Sequence, residues 1–289
     1  MCFVVAADWV EMKNFAFAYV VASDYSVGVL GTTNLSGAKK KNASTILRLF
    51  TALMMICACS SAAWGNEFNA NGVRIHYVDA GQGEPVILVH GLYSSAFINW
   101  QMPGTFKELA RHYRVIAFDN RGHGQSGKPQ GRDQYGVEMC NDIVRLMDHL
   151  HIAKAHVVGY SLGGFIVMKL LTLHPERVST AVLGGAAWLK AGSPLDKLWL
   201  VMPLRGRQIV PAACLRGVSD LGTSAEEVQA VRVPVTIIVG DKDPCRLMYV
   251  EPLQKIRPDW PVYTIANAGH MDCIVMPQFK EQLLAALAR

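Results

Sequence analysis

Gly159-Tyr160-Ser161-Leu162-Gly163, extended by Gly164, is the stretch of this chain best suited to covalent chemistry. A serine with glycine two positions away on each side can sit on a turn too sharp for bulkier neighbours. A β-rich run (155–158) leads in, and an apolar run of helical character (165–173) leads out. Such a turn pushes the hydroxyl clear of the sheet edge, and the first free N–H groups of the helix aim at the same spot. Ser161 is therefore a candidate nucleophile whose oxyanion would form beside a helix N-terminus. The competing reading is a glycine-rich strand–helix turn whose serine only caps residues 162–165. A serine hydroxyl also needs a base to take its proton and a carboxylate to orient that base.

The elements that must position these groups follow from the pattern after residue 66. Residues 67–70 and 73–79 flank Asn71-Gly72, a preferred dipeptide for a tight hairpin. Val86-Ile-Leu-Val89 reads as a fully buried strand. Residues 100–111 are helical in period, 114–118 form a strand, and 137–150 an amphipathic helix. Strands at 155–158, 179–183, 234–239 and 260–266 follow, with helices at 165–173, 247–256 and 276–288. An initial antiparallel hairpin followed by β-then-α units predicts an α/β fold: a mostly parallel central sheet with helices on both faces.

Chemistry in such sheets gathers at the carboxyl ends of the strands. Here those ends read His90-Gly91-Leu92, then Asp119-Asn-Arg121-Gly-His123-Gly-Gln-Ser126-Gly127. They continue with Gly159–Gly163, Gly184-Gly185, Gly240-Asp241-Lys-Asp243-Pro and Gly269-His270. Taken jointly, this order resembles the α/β-hydrolase fold family from about residue 67 to 289. The resemblance implies the chain order nucleophile, acid, base: Ser161, Asp243, His270. It places the acid three residues after the strand-ending glycine, at Asp243, with Asp241 as the alternative and Asp272 as a helix cap. It also implies an oxyanion hole from the backbone N–H groups of Leu92 and Leu162, and structural roles for His90 and His123. A serine at the elbow argues against the haloalkane dehalogenase and epoxide hydrolase relatives, which carry aspartate there.

Gly122-His-Gly-Gln-Ser-Gly127 also spells a dinucleotide fingerprint, but Lys128-Pro129 follows and no helical pattern begins before about Gln134. No nicotinamide and no other cofactor is expected. No Cys/His cluster has zinc spacing, so no metal is implied. The net charge of +5 over 289 residues is too weak for a nucleic-acid partner. With 51% hydrophobic and 18% charged residues, the chain can bury a sizeable core.

The first 65 residues read as address rather than fold. Lys39-Lys40-Lys41 and Arg48 precede an apolar run from Leu49 and the small residues Ser60-Ser61-Ala62-Ala63, the order of a secretory signal. The expectation for residues 39–65 is a signal-like segment cleaved near Ala63, with lipidation at Cys59 or an uncleaved anchor as alternatives. Residues 1–38 read as an over-extended gene start or a disordered N-terminus. The predicted location is periplasmic or secreted, with membrane contact only through this segment.

Residues 66–289 form the predicted hydrolase domain, with a short cap at about 188–232 and a shallow, open pocket. Candidate pocket walls are Tyr93, Tyr160, Trp188, Leu189 and Trp199, with Leu198, Leu200, Val201 and Met202 beside them. An apolar lining favours small or medium apolar acyl groups. Cys245 and Cys273 lie close in sequence to Asp243 and His270, which leaves open a disulfide pinning acid to base or two free, partly buried thiols. The function expected is an exported serine hydrolase cleaving a small-molecule carboxylic ester through an acyl-enzyme on Ser161. The alternatives are a cofactor-free haloperoxidase-like perhydrolase, a carbon–carbon bond hydrolase, and a non-catalytic ligand-binding relative.

Overall fold

A computed structural model of the chain describes residues 20–23, 26–29, 65–201 and 210–288. The chain divides into two compact units, Met1–Ala63 and Trp64–Arg289. In the first, strands β1 (Val20–Ser23) and β2 (Ser26–Val29) pair antiparallel, a hairpin the sequence reading does not anticipate. The signal-like run at 39–64, its cleavage point near Ala63, Cys59, and the rest of residues 1–38 lie outside the described residues, as does Met202.

The second unit opens with β3 (Asn66–Ala70) and β4 (Val73–Ala80), joined through Asn71-Gly72 with φ of 53° and 84°. Two successive residues of positive φ make the tight turn that suits the twist of an antiparallel pair. β5 (Pro85–Val89), β6 (Arg114–Phe118), β7 (Ala155–Tyr160), β8 (Val178–Gly184), β9 (Val235–Gly240) and β10 (Val262–Ile265) complete an eight-stranded sheet in the order β10-β9-β8-β7-β5-β6-β4-β3. The pairs β3·β4 and β4·β6 are antiparallel and the others parallel.

Helices α1 (Thr105–Leu109), α2 (Val137–His149), α3 (Leu162–Leu173), α4 (Pro194–Val201), α5 (Ala212–Gly217), α6 (Ala225–Ala230), α7 (Glu251–Ile256) and α8 (Pro277–Leu287) join these strands. Strand side chains alternate between two cores, as a pleated strand requires. Ile87, Val89 and Val157 meet Ile143 of α2 and Ile166 of α3 on one face. Val86, Leu88 and Val158 meet Leu109 of α1 and Phe279 of α8 on the other. The α/β architecture read from the sequence, with its antiparallel start and helices on both faces, is the one observed.

One helix differs. Residues 100–111 do not form a continuous helix: a π-helical turn spans Phe97–Gln101, and α1 starts only at Thr105. Pro103 lacks an N–H to continue the ladder, and Gly104 takes a left-handed φ of 79°.

From β5 the chain crosses first to β6 on one side and later to β7 on the other. The carboxyl ends of β5 and β7 therefore flank the reversal of strand order, where open α/β sheets leave a crevice for ligands.

Candidate active site

Ser161 stands at the end of β7 with φ 56° and ψ −117°, a strained conformation for a residue with a side chain. Its own N–H is held by the Gly184 carbonyl at 2.8 Å. The glycines around it are needed for more than relief at the turn. A Cβ on Gly159 would lie 2.2 Å from the Gly163 carbonyl oxygen, and one on Gly163 would lie 2.2 Å from that of Val89. One on Gly164 would lie 2.0 Å from the Ala186 carbonyl oxygen. Helix α3 thus sits backbone to backbone on β5 and on the chain leaving β8. The sequence reading misses this reason for Gly163-Gly164.

The structure brings Ser161, His270 and Asp243 into one hydrogen-bonded line. Ser161 Oγ lies 2.8 Å from His270 Nε2, and His270 Nδ1 lies 2.8 Å from Asp243 Oδ2. The carboxylate is buried, so its interaction with the ring is little screened. Its other oxygen accepts from the Cys245 N–H at 2.8 Å. With Asp243 acting as acceptor, the imidazole carries its proton on Nδ1 and leaves Nε2 to accept from the serine hydroxyl.

The alternative acid, Asp241, is exposed and accepts from the Ala268 N–H at 3.1 Å. Backbone hydrogen bonds from Asn267 and Ala268 hold its carboxyl below the usual range. Asp272 does not cap the turn that follows it; its side chain accepts instead from the Gly269 N–H at 2.6 Å.

Leu162 is the first residue of α3, so its N–H lies among the donors a helix leaves free at its start. Leu92 follows Gly91, where a Cβ would lie 3.1 Å from Ser161 Cβ. The loop carrying it is fixed from below. Buried His90 donates from Nδ1 to the Gly91 carbonyl at 2.7 Å and accepts at Nε2 from the Asn120 N–H at 2.9 Å. Burial lowers its pKa, which keeps the ring neutral and able to do both. Asn99 adds a contact absent from the sequence reading: its Oδ1 accepts from the Gly91 N–H at 2.8 Å. Asp119 joins the loop to the following strand by accepting from Ala96 N–H and Gln125 N–H, both at 2.8 Å.

A cavity of about 520 Å³ opens over Ser161 and His270. Tyr93 and Tyr160 line it as expected, with Leu92, Ile98, Met102 and Ile274. Trp188, Leu189 and Trp199 do not. Trp188 is buried and its indole donates to the Thr223 carbonyl at 3.0 Å, while Leu189 is buried in the same core. Trp199 is half-buried and packs on that core. Leu198, Leu200 and Val201 are exposed and do not line the cavity. Apolar periodicity alone does not tell a side chain facing the core from one facing a ligand. Among the described residues, none from 188–232 lines the cavity.

Of the two open readings, the Cys245–Cys273 disulfide is not formed; both residues are free thiols, like Cys140 and Cys214. Each faces a different partner, Cys245 the Asp243 carboxylate and Cys273 the Tyr160 hydroxyl. Burial and the charge of Asp243 push both thiols up to about 12, so they stay protonated at neutral pH. Asp243, Cys245 and His270 place three potential metal ligands within 4.8 Å. The acid and the imidazole already satisfy one another there, and the thiol is not a thiolate.

Residues 84–219 match the family model of the alpha/beta hydrolase fold. The chain is 38% identical over 139 residues to a 2-hydroxy-6-oxo-6-(2'-aminophenyl)hexa-2,4-dienoic acid hydrolase of Metapseudomonas resinovorans, covering 45% of each chain. It is 34% identical over 125 residues to bifunctional epoxide hydrolase 2 of Sus scrofa, covering 42% of this chain and 22% of that one. The chain thus spans less than half the length of these curated relatives. A solved structure from work on carboxylesterases of Nitrososphaera gargenis superposes with a TM-score of 0.61 at 20% identity, covering 78% of this chain and 97% of that one.

The chain has the α/β-hydrolase fold, and its residues 84–219 match the model of that family. The family match stops before Asp243 and His270, so their meeting with Ser161 rests on the three-dimensional arrangement and not on that match.

Proposed function

We propose that the protein is a serine hydrolase that cleaves a carboxylic ester of an uncharged, apolar acyl group through an acyl-enzyme on Ser161. The dienoic acid hydrolase, the epoxide hydrolase and the carboxylesterase structure support a hydrolase of this fold; the ester and its acyl group are the finer reading. The observation that carries it is the line from Asp243 through His270 to Ser161, ending at the floor of an apolar cavity. His270 takes the proton of Ser161 as Oγ attacks the carbonyl carbon, and Asp243 stabilises the imidazolium that forms. The oxyanion is received by the Leu92 and Leu162 N–H groups. The alkoxide leaves with the proton from His270, and a water activated by the same ring releases the acid.

The dienoic acid hydrolase among the relatives acts, by its name, on a substrate carrying a carboxylate. Among the described residues, no lysine or arginine lines the cavity here. That favours an ester without a charged acyl group over a carboxylate-bearing carbon skeleton. Turnover of a short-chain nitrophenyl ester by wild type and by Ser161→Ala tests the reading. Wild-type hydrolysis that falls at least about 10³-fold in the variant supports it, and equal rates overturn it. Running the assay with peroxide and acetate separates hydrolysis from perhydrolysis.

We propose export as well, on the basic, apolar and small-residue order of 39–65. N-terminal sequencing of the protein recovered outside the cytoplasm tests that, and an intact residue 39–65 segment on cytoplasmic protein would end it.

A further inference from the structure

The cavity mouth carries a collar of exposed apolar side chains. Tyr93, Phe97, Ile98, Met102, Met271 and Val275 are all at least 44% exposed, and Met271 reaches 85%. Single exposed apolar residues are ordinary on a protein surface, but a contiguous patch calls for an occupant. Every member except Phe97 also lines the cavity above Ser161, and Phe97 precedes Ile98 on the same π-helical turn.

The collar has two lips. One is the loop after β5, and the other is the loop that follows His270. Both are backed by fixed structure: Ala96 N–H is held by Asp119 at 2.8 Å, and Cys273 and Ile274 are buried beneath the second lip. The exposed side chains therefore stand on anchored backbone and form a preformed surface continuous with the cavity.

We infer that the collar seats an apolar chain of the substrate itself, so that the site acts on lipophilic esters whose chain runs from Ser161 across the rim. This rests on the serine-hydrolase reading and extends it beyond the small or medium acyl group expected from the sequence. Continuity with the cavity argues for the occupant: beyond Ser94 and Asn99, a chain leaving the reacting carbon runs along apolar side chains before reaching water.

The test is a series of nitrophenyl esters from acetate to decanoate, each below its solubility limit, with wild type and the triple variant Phe97→Ser/Met102→Ser/Met271→Ser. Full burial of a methylene is worth ~0.8 kcal/mol, about fourfold. The wild-type kcat/KM should therefore rise roughly two- to fourfold per methylene until the chain clears the rim. The triple variant should lower the decanoate-to-acetate ratio at least about tenfold, with an unchanged melting temperature because the altered side chains are exposed. A flat wild-type profile, or the same ratio in the variant, overturns the inference.

Calorimetry with 2-dodecanone, a long-chain ketone that cannot be hydrolysed, reads the collar without turnover. Binding that weakens in the variant supports the collar, and no binding by wild type overturns it. Loss of turnover with ketone binding retained is a failure of the hydrolase reading alone.

Discussion

The hydroxyl of Tyr160 donates to the main-chain carbonyl of His270 across 2.5 Å, so the residue before Ser161 tethers the loop that carries the imidazole. The two rings lie 5.6 Å apart, and burial raises the phenol pKa, which keeps it a donor. Tyr160→Phe removes the tether and little else. We expect kcat to fall roughly 10- to 100-fold with KM nearly unchanged, because the imidazole is misplaced while the cavity persists. Steady-state kinetics on one ester checks this. Thermal unfolding should show a loss of about 1–2 kcal/mol from the unpaired carbonyl.

Asp243 and Asp241 make opposite predictions. Asp243→Asn presents an amide where His270 Nδ1 needs an acceptor, favouring the wrong tautomer, and should lower kcat by about 10³- to 10⁴-fold. Asp241→Asn touches only the loop at Asn267 and Ala268 and should change kcat less than about threefold. Comparable losses in the two variants would count against the assignment.

Two glycines separate backbone conformation from close approach. Gly72 has φ 84°, and a Cβ added there would meet nothing within 4 Å, so Gly72→Ala should cost only the left-handed backbone strain of about 1–2 kcal/mol. A Cβ on Gly163 would lie 2.2 Å from the Val89 carbonyl oxygen, and neither backbone can yield without moving α3 off β5. Gly163→Ala should cost more than about 3 kcal/mol or prevent folding. Urea unfolding midpoints, or soluble yield where no midpoint exists, distinguish them.

His90 and His123 make stability depend on pH. Their rings lie 5.2 Å apart in a buried T-shaped pair. Burial lowers the pKa of His90, and burial together with the neighbouring His90 pushes His123 down to about 3. In the unfolded chain both take up a proton near pH 6.5. Below that pH the unfolded state binds more protons, so stability falls as pH drops and keeps falling until the folded His123 titrates near 3. Each ring contributes up to about 1.4 kcal/mol per pH unit. Urea midpoints between about pH 6.5 and 5 should show the slope, and His123→Gln should remove about one proton from it. An unchanged slope would mean that the ring is protonated in the fold.

Much of this is legible in the sequence. Asn71-Gly72, the buried run at Val86–Val89 and the strained Ser161 announce themselves because local sterics decide them. His270 follows from the order of motifs at the strand ends, and Asp243 from that order together with its position three residues after the strand-ending glycine. What stays hidden depends on distant partners. Trp188 and Trp199 look like pocket walls until Thr223 claims the first indole and the core takes the second ring. Asn99 is an ordinary polar residue until the Gly91 N–H reaches it. Tyr160 reads as a pocket wall and is one, but its contact with His270 joins positions far apart in the chain.

The acid and base loops are joined without a covalent bridge, since Cys245 and Cys273 remain unpaired. Assembly of the reactive centre therefore calls for neither an oxidant nor an isomerase. Reducing surroundings should leave the line through Asp243, His270 and Ser161 in place.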